Sequence, residues 1–178
     1  MRSLRCVFVI LVSLLIPAAV AGQKQQRQPL SDAQIEEIRE AGIDPNARIG
    51  LYAKYLDERS ETIKGLTNRK HSTPRAARID NELQDLTTLM DELSSNLDQY
   101  SDRKADMRAA LKKLNELAPK WVSILKALEG EPTFDESRKE AIEAGEDLAD
   151  EARRLLQEQT DYFSLHKDER GQQRAEPK

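Results

Sequence analysis

Between Ile79 and Leu128 the apolar positions advance by four and three residues in strict alternation. They are Ile79, Leu83, Leu86, Met90, Leu93, Leu97, Tyr100, Lys104, Met107, Leu111, Leu114, Ala118, Trp121, Leu125 and Leu128, and only Lys104 is charged. Alternating steps of four and three keep one face of a helix against another helix. A chain with such a seam folds from long packed helices. Composition agrees: aromatic residues are 4% and charged residues 34% of the chain, fewer aromatics and more charge than mixed folds carry. No alternating β-branched stretch predicts a strand, so the fold class is all-α.

Caps and breakers divide the chain. Ser31 and Gln34 have capping-box spacing and open a short helix over residues 31–42, closed by Gly42. At its length it persists only when docked. Asp44 as N-cap and Pro45 at the first helical position start a second helix over 45–68. Thr73 and Pro74 repeat that pattern and open the long helix over 74–128. Gly130 and Pro132 interrupt the chain, and a last helix runs over about 133–165. Pro119, inside the long helix, removes one backbone hydrogen bond and clashes with the Asn115 carbonyl, which predicts a kink.

The seams also predict pairing. Aligned antiparallel, helix two meets the first half of the long helix, with Ile63 opposite Ile79, Arg59 opposite Leu83 and Tyr52 opposite Met90. The turn is then centred on His71. Helix four meets the second half, with Leu148 opposite Leu111, Gly145 opposite Leu114, Arg138 opposite Trp121, Leu155 opposite Lys104, Gln159 opposite Tyr100 and Tyr162 opposite Leu97. The expectation is therefore two antiparallel helical hairpins sharing one long central helix, an extended coiled-coil-like bundle about 80 Å long. A compact four-helix bundle is the alternative. It needs a bend between Leu97 and Asp102, where Ser101 and Asp102 offer caps, and a second apolar stripe. Leu89, Leu117, Ile124, Ile142, Leu156 and Phe163 supply part of one. Against the bend, no Gly or Pro lies between residues 75 and 118.

Residues 1–21 read as a secretory signal. Arg2 and Arg5 precede an apolar run over 6–16 that Pro17 breaks, and Ala19-Val20-Ala21 offers small residues for cleavage near Ala21. The run is shorter than the ~20 residues that span a bilayer. Removing it takes away Arg2 and Arg5 and leaves a net charge of about −6, which opposes phosphate backbones and anionic lipids. Nucleic acid is therefore not expected as a partner, and no later segment is long and apolar enough for stable membrane insertion after cleavage. The lone cysteine, Cys6, lies in the signal, so the processed chain has no disulfide and no thiolate ligand. With no Asn-x-Ser/Thr acceptor either, the periplasm or the bacterial exterior is the expected location. The Gln-rich 22–30 is read as a disordered lead and the charged 167–178 as a disordered tail. Residues 31–166 form a single helical domain.

Candidate chemistry is sparse. Neither His71 nor His166 follows a Glu by three, as bundle di-metal sites require. Met90 and Met107 lie on the seam and read as core filler. The carboxylate pairs Asp91-Glu92 and Glu146-Asp147 lie off the seam among Lys and Arg, on a solvated face. The seven glycines left after cleavage are scattered, so no phosphate loop exists. Arg59 and Lys104 interrupt apolar rows, with stems that pack while their heads reach the rim. Arg138 opposite Trp121 predicts a cation–π contact. Asp44-Pro45-Asn46-Ala47-Arg48 looks motif-like, but its physics is a cap and a helix start. No catalytic, cofactor or metal residue is assigned, and the sequence does not name the partner-binding residues.

The expected function is a secreted, non-enzymatic helical scaffold or protein-interaction module of the bacterial envelope. It binds a protein partner or itself through the flank a two-helix hairpin leaves open. A periplasmic chaperone-like client binder with an open apolar cradle is the alternative, and a ligand-binding four-helix bundle is a third.

Overall fold

The Ser31 hydroxyl accepts the Gln34 N–H, and the Gln34 side chain accepts the Ser31 N–H in return, so the predicted capping box is present. It opens α1 (Asp32–Glu40), which Gly42 closes at φ +60° with its N–H on the Arg39 carbonyl. The Asp44 carboxylate caps α2 (Pro45–Thr67) by accepting the Asn46 and Ala47 N–H groups. Ser72, one residue before the expected Thr73, caps α3 (Thr73–Asp102). Then come α4 (Arg108–Ala127), α5 (Asp135–Leu165) and a 3-10 turn (Lys167–Glu169). The computed structural model describes residues 28–171, and among these there is no strand. The signal at 1–21, most of the lead and residues 172–178 lie outside the described residues.

Helices α2 to α5 form a four-helix bundle. Within it α2 packs on α3 and α4, and α5 packs on α3 and α4, while the backbones of the diagonal pairs α2/α5 and α3/α4 stay apart. Contacts at constant separation fix the directions. Ala110 to Asn46 and Trp121 to Asp57 are both 64 residues apart, so α2 and α4 run parallel. Ser94 to Glu151 and Ser137 to Asp80 are both 57 apart, so α3 and α5 do too. The path is up-down-up-down, with the α3–α4 connection crossing the diagonal. The seam is the core: Leu83, Leu86, Leu93, Leu97, Met107, Leu111, Leu114 and Trp121 are fully buried. Leu89 and Phe163 of the second stripe are buried, and Leu117, Ile142 and Leu156 pack against the core. That stripe gives each helix the wider apolar face a compact bundle needs.

The single helix over 74–128 is not formed. The chain breaks at residues 103–107, just past the 97–102 stretch that offered caps. The Ala105 N–H bonds the Tyr100 carbonyl and the Lys104 N–H bonds the Ser101 carbonyl, with Lys104 at φ 55°. This is a Schellman closure with lysine where glycine normally stands. It turns Lys104 out to solvent and buries Ala105 and Met107 in its place. The N-cap residue Met107 supplies no side-chain cap to α4, and within the break only the Asp106 carboxylate, which accepts the Arg108 N–H at 3.4 Å, serves its first turn. Two carboxamides from other helices do the equivalent work. Gln159 of α5 accepts the Met107 N–H at 3.0 Å and donates to the Ala105 carbonyl at 2.8 Å. Asn46 of α2 donates to the Asp106 carbonyl at 2.7 Å and accepts the Ala110 N–H at 3.0 Å. The Asp106 carboxylate holds the Arg108 guanidinium and accepts the Gly171 N–H, which draws residues 167–171 onto the break.

The α2–α3 hairpin has the predicted register: Arg59 meets Glu82 and Asp85, on either side of Leu83, and Tyr52 meets Glu92. The α4–α5 hairpin is displaced by one heptad. Gln159 stands beside Met107 rather than Tyr100, and Tyr162 beside Lys104 rather than Leu97. Gly145 faces Val122, where an added Cβ would lie 3.0 Å from Cγ2, rather than Leu114. A heptad pattern is unchanged by a shift of one period, so only the turn can select the register. Here the turn is wide: residues 131–134 coil before α5, with the Phe134 N–H on the Glu131 carbonyl. Helix α4 continues through Pro119 to Ala127.

Candidate functional site: a groove under α1

Helix α1 is nine residues long, and α2 is the one helix its backbone packs closely against among the described residues. It is anchored by Ile38, which is buried, and by Glu37, whose carboxylate takes the Tyr55 hydroxyl and Lys54. The Tyr55 hydrogen bond, more than Lys54, holds the Glu37 carboxyl below its ordinary range. Residues 28–30, expected to be part of a disordered lead, are pinned ahead of it. The Arg59 guanidinium donates to the Pro29 carbonyl while paired with Glu82 at 2.7 Å and Asp85 at 3.0 Å, and Leu30 is buried. Arg59, expected to send its head to the rim, therefore ties the lead to α2 and α3.

This attachment leaves a groove of about 580 Å³ between α1 and the α2–α3 face. Pro29, Leu30, Ile35 and Ile38 give apolar walls; Arg39, Arg48, Tyr52 and Glu92 give the polar ones. The Arg48 Nε–H is buried without a hydrogen-bond partner among the described residues. Tyr52 donates to Glu92 across 3.4 Å. Burial first, then the Glu92 carboxylate, raises the Tyr52 hydroxyl above its ordinary range, against the pull of Arg48. In the α1–α2 turn, Gly42 lines the groove and the neighbouring Ile43 is 60% exposed. Apolar walls with a few convergent polar groups are the usual character of a binding concavity. A second depression, over the α3–α4 break, is lined by polar residues such as Asn46, Asp106, Arg108 and Lys112.

The residues singled out by sequence are scattered. His71 sits exposed in the α2–α3 turn beside Glu131, which Arg75 also holds at 2.6 Å. His166 stacks on Tyr162 at the end of α5, with ring centroids 4.1 Å apart. Met90 and Met107 are core. Glu146 pairs with Lys126, and Glu92 lies on the groove. Arg138 does not reach Trp121: it pairs with Asp135, while the Trp121 indole donates to Asp57. The heptad shift separates the two. Among the described residues no three His, Cys, Asp or Glu side chains converge as metal ligands would. No helix there is long and apolar enough to cross a membrane.

The groove was not legible in the sequence, because a short helix over 31–42 that must dock to persist does not declare the surface it docks on. Sequence reasoning also missed Asn46 and Gln159. Asn46 lay in the motif-like start of α2 and Gln159 on the α5 seam; an amide at a core position is the signal that marked it. Comparisons with protein-family models, curated proteins and solved structures find no match, so no family contributes to the reading of the groove.

Proposed function

We propose that this chain is an exported, non-enzymatic helical interaction module of the bacterial envelope. It takes an apolar segment bearing an acidic group from a protein partner into the groove under α1. The observation that carries this is the pairing, in one concavity, of Leu30, Ile35 and Ile38 with an Arg48 Nε–H that has no partner among the described residues. Arg39 is paired with Glu36 at 2.6 Å, so the open Arg48 Nε–H is what gives the groove a place for an anionic group. The short, lightly held α1 lets the groove adjust to its occupant.

The bundle itself covers the seam flank that had pointed to a partner. Among the described residues the large hydrophobics left exposed are Ile43 and Leu165, so nothing favours an open cradle for unfolded clients. Photo-crosslinking in living bacteria tests the groove. A crosslinker at Ile35 is expected to capture one discrete protein, and Arg48→Glu to abolish the capture. The same products from a crosslinker at Lys112, on the depression over the α3–α4 break, or no product from Ile35, would sink the reading.

A further inference from the structure

The break at residues 103–107 interrupts a seam that does not change phase across it. Leu97, Tyr100, Met107 and Leu111 are in step on either side, and no glycine or proline lies in the break. The closed form holds Lys104 at φ 55°, a conformation that L-residues other than Asn and Asp seldom adopt. Straightening the break into helix removes that strain and returns Lys104 to helical geometry. The Ala105 carbonyl and Met107 N–H, now held by Gln159, would then find partners within the helix. The α3 and α4 backbones stand on the diagonal and do not approach each other, so straightening separates no closely packed helix pair between them. What it breaks is the packing of one hairpin on the other, carried by Trp121–Asp57, Ser94–Glu151 and Ser137–Asp80.

A second copy of the chain can restore all three. We propose that two copies exchange their α4–α5 hairpins across a straightened hinge at residues 103–107, giving a two-fold dimer. Each half of that dimer is the four-helix bundle already described. The exchange is closed, because each chain gives and receives the same hairpin. Its central element is a continuous helix from α3 through α4, about 80 Å long. The carboxamides of Asn46 and Gln159 favour the closed monomer and the left-handed Lys104 opposes it, so the balance is set at the hinge. This inference does not depend on the groove.

The exchange is read by cross-linking across the hairpin interface. The full chain would carry Cys6→Ser, Ser94→Cys and Glu151→Cys, so that the engineered pair are its only thiols. Monomer and dimer fractions from concentrated or refolded protein are separated by size exclusion with light scattering. Each is then treated with a short bismaleimide. In the monomer the cross-link closes within one chain. In the exchanged dimer it joins two chains and yields a covalent dimer on a denaturing gel. Lys104→Gly relieves the strain of the closed form and weakens a continuous helix at both hinges. It is expected to lower the dimer association constant by about tenfold or more. Three results would overturn the proposal: no dimer at millimolar protein, a dimer whose cross-links all close within single chains, or a dimer constant unmoved by Lys104→Gly.

Discussion

The Trp121 indole N–H donates to the Asp57 carboxylate across 2.9 Å, joining α4 to α2. Trp121 is the chain's one tryptophan and is fully buried, so this bond satisfies the only polar atom of its largest core side chain. Asp57→Leu leaves the indole N–H unsatisfied and is expected to cost about 1–3 kcal/mol. Asp57→Asn keeps an acceptor and should cost less than half as much. Urea unfolding followed by Trp121 fluorescence reads both; equal losses would refute this role for Asp57.

Asn46 and Gln159 hold the same break from opposite helices, so their contributions should not add. Gln159→Ala strands the Ala105 carbonyl and Met107 N–H and is expected to cost about 2 kcal/mol or more. Asn46→Ala, at a half-buried site, should cost about 1 kcal/mol. Once either amide is gone the break loosens and the other has less to hold. The double variant should therefore fall short of the sum by about 0.5–1 kcal/mol. A double-mutant cycle from equilibrium unfolding measures the coupling, and strict additivity would show the two amides to be independent.

Helix caps and the α2–α3 pairing were legible because each rests on local or short-range signals. Ser31 with Gln34 and Asp44 with Pro45 declare themselves in four residues, and the His71 turn is short enough to fix its hairpin's register. The α4–α5 register was not legible, since a heptad seam looks the same after a shift of one period and the wide 131–134 turn selects among the options. The break was hidden for a different reason. Its Schellman closure uses Lys104 where a glycine would have announced it, and its caps, Asn46 and Gln159, come from helices distant in sequence. The lysine on an otherwise apolar seam was the visible trace of that break. The groove depends on how α1 docks, which periodicity within α1 does not specify.

The glycines of the bundle separate into those that permit a close approach and those that do not. Beside Gly65 an added Cβ would meet nothing within 4 Å, whereas at Gly145 it would lie 3.0 Å from Val122 Cγ2 and 3.5 Å from Met90 Cε. Gly65→Ala should therefore gain about 0.5–1 kcal/mol from helix propensity alone. Gly145→Ala should gain little or lose, since Val122 and Met90 must give way, and Gly145→Val should lose about 1–3 kcal/mol by overpacking. Thermal unfolding of the three variants checks the order; a gain at Gly145 equal to that at Gly65 would contradict the close packing of α5 on α4.

Two carboxylates should bend the pH profile in opposite directions. Hydrogen bonding from Arg108, followed by the Gly171 and Arg108 backbone N–H groups, outweighs burial and holds Asp106 below its ordinary range. A folded-state value lower than the unfolded one stabilises the bundle above the unfolded value and is lost as pH falls through the folded one, from about pH 4 downward. Burial raises Glu151 above its ordinary range, with Ser94 opposing and Asp98 adding to the rise. Its stabilisation is complete below the unfolded value, about 4.3, and is lost as pH rises through the folded one. Asp106→Asn should therefore flatten the acid limb of stability against pH. Glu151→Gln should raise the unfolding midpoint at pH 7 relative to wild type while leaving it little changed near pH 4. If Glu151→Gln lowered the midpoint at pH 7, the ionised carboxylate would be stabilising the α3–α5 contact, and the assignment of burial as its dominant influence would fall.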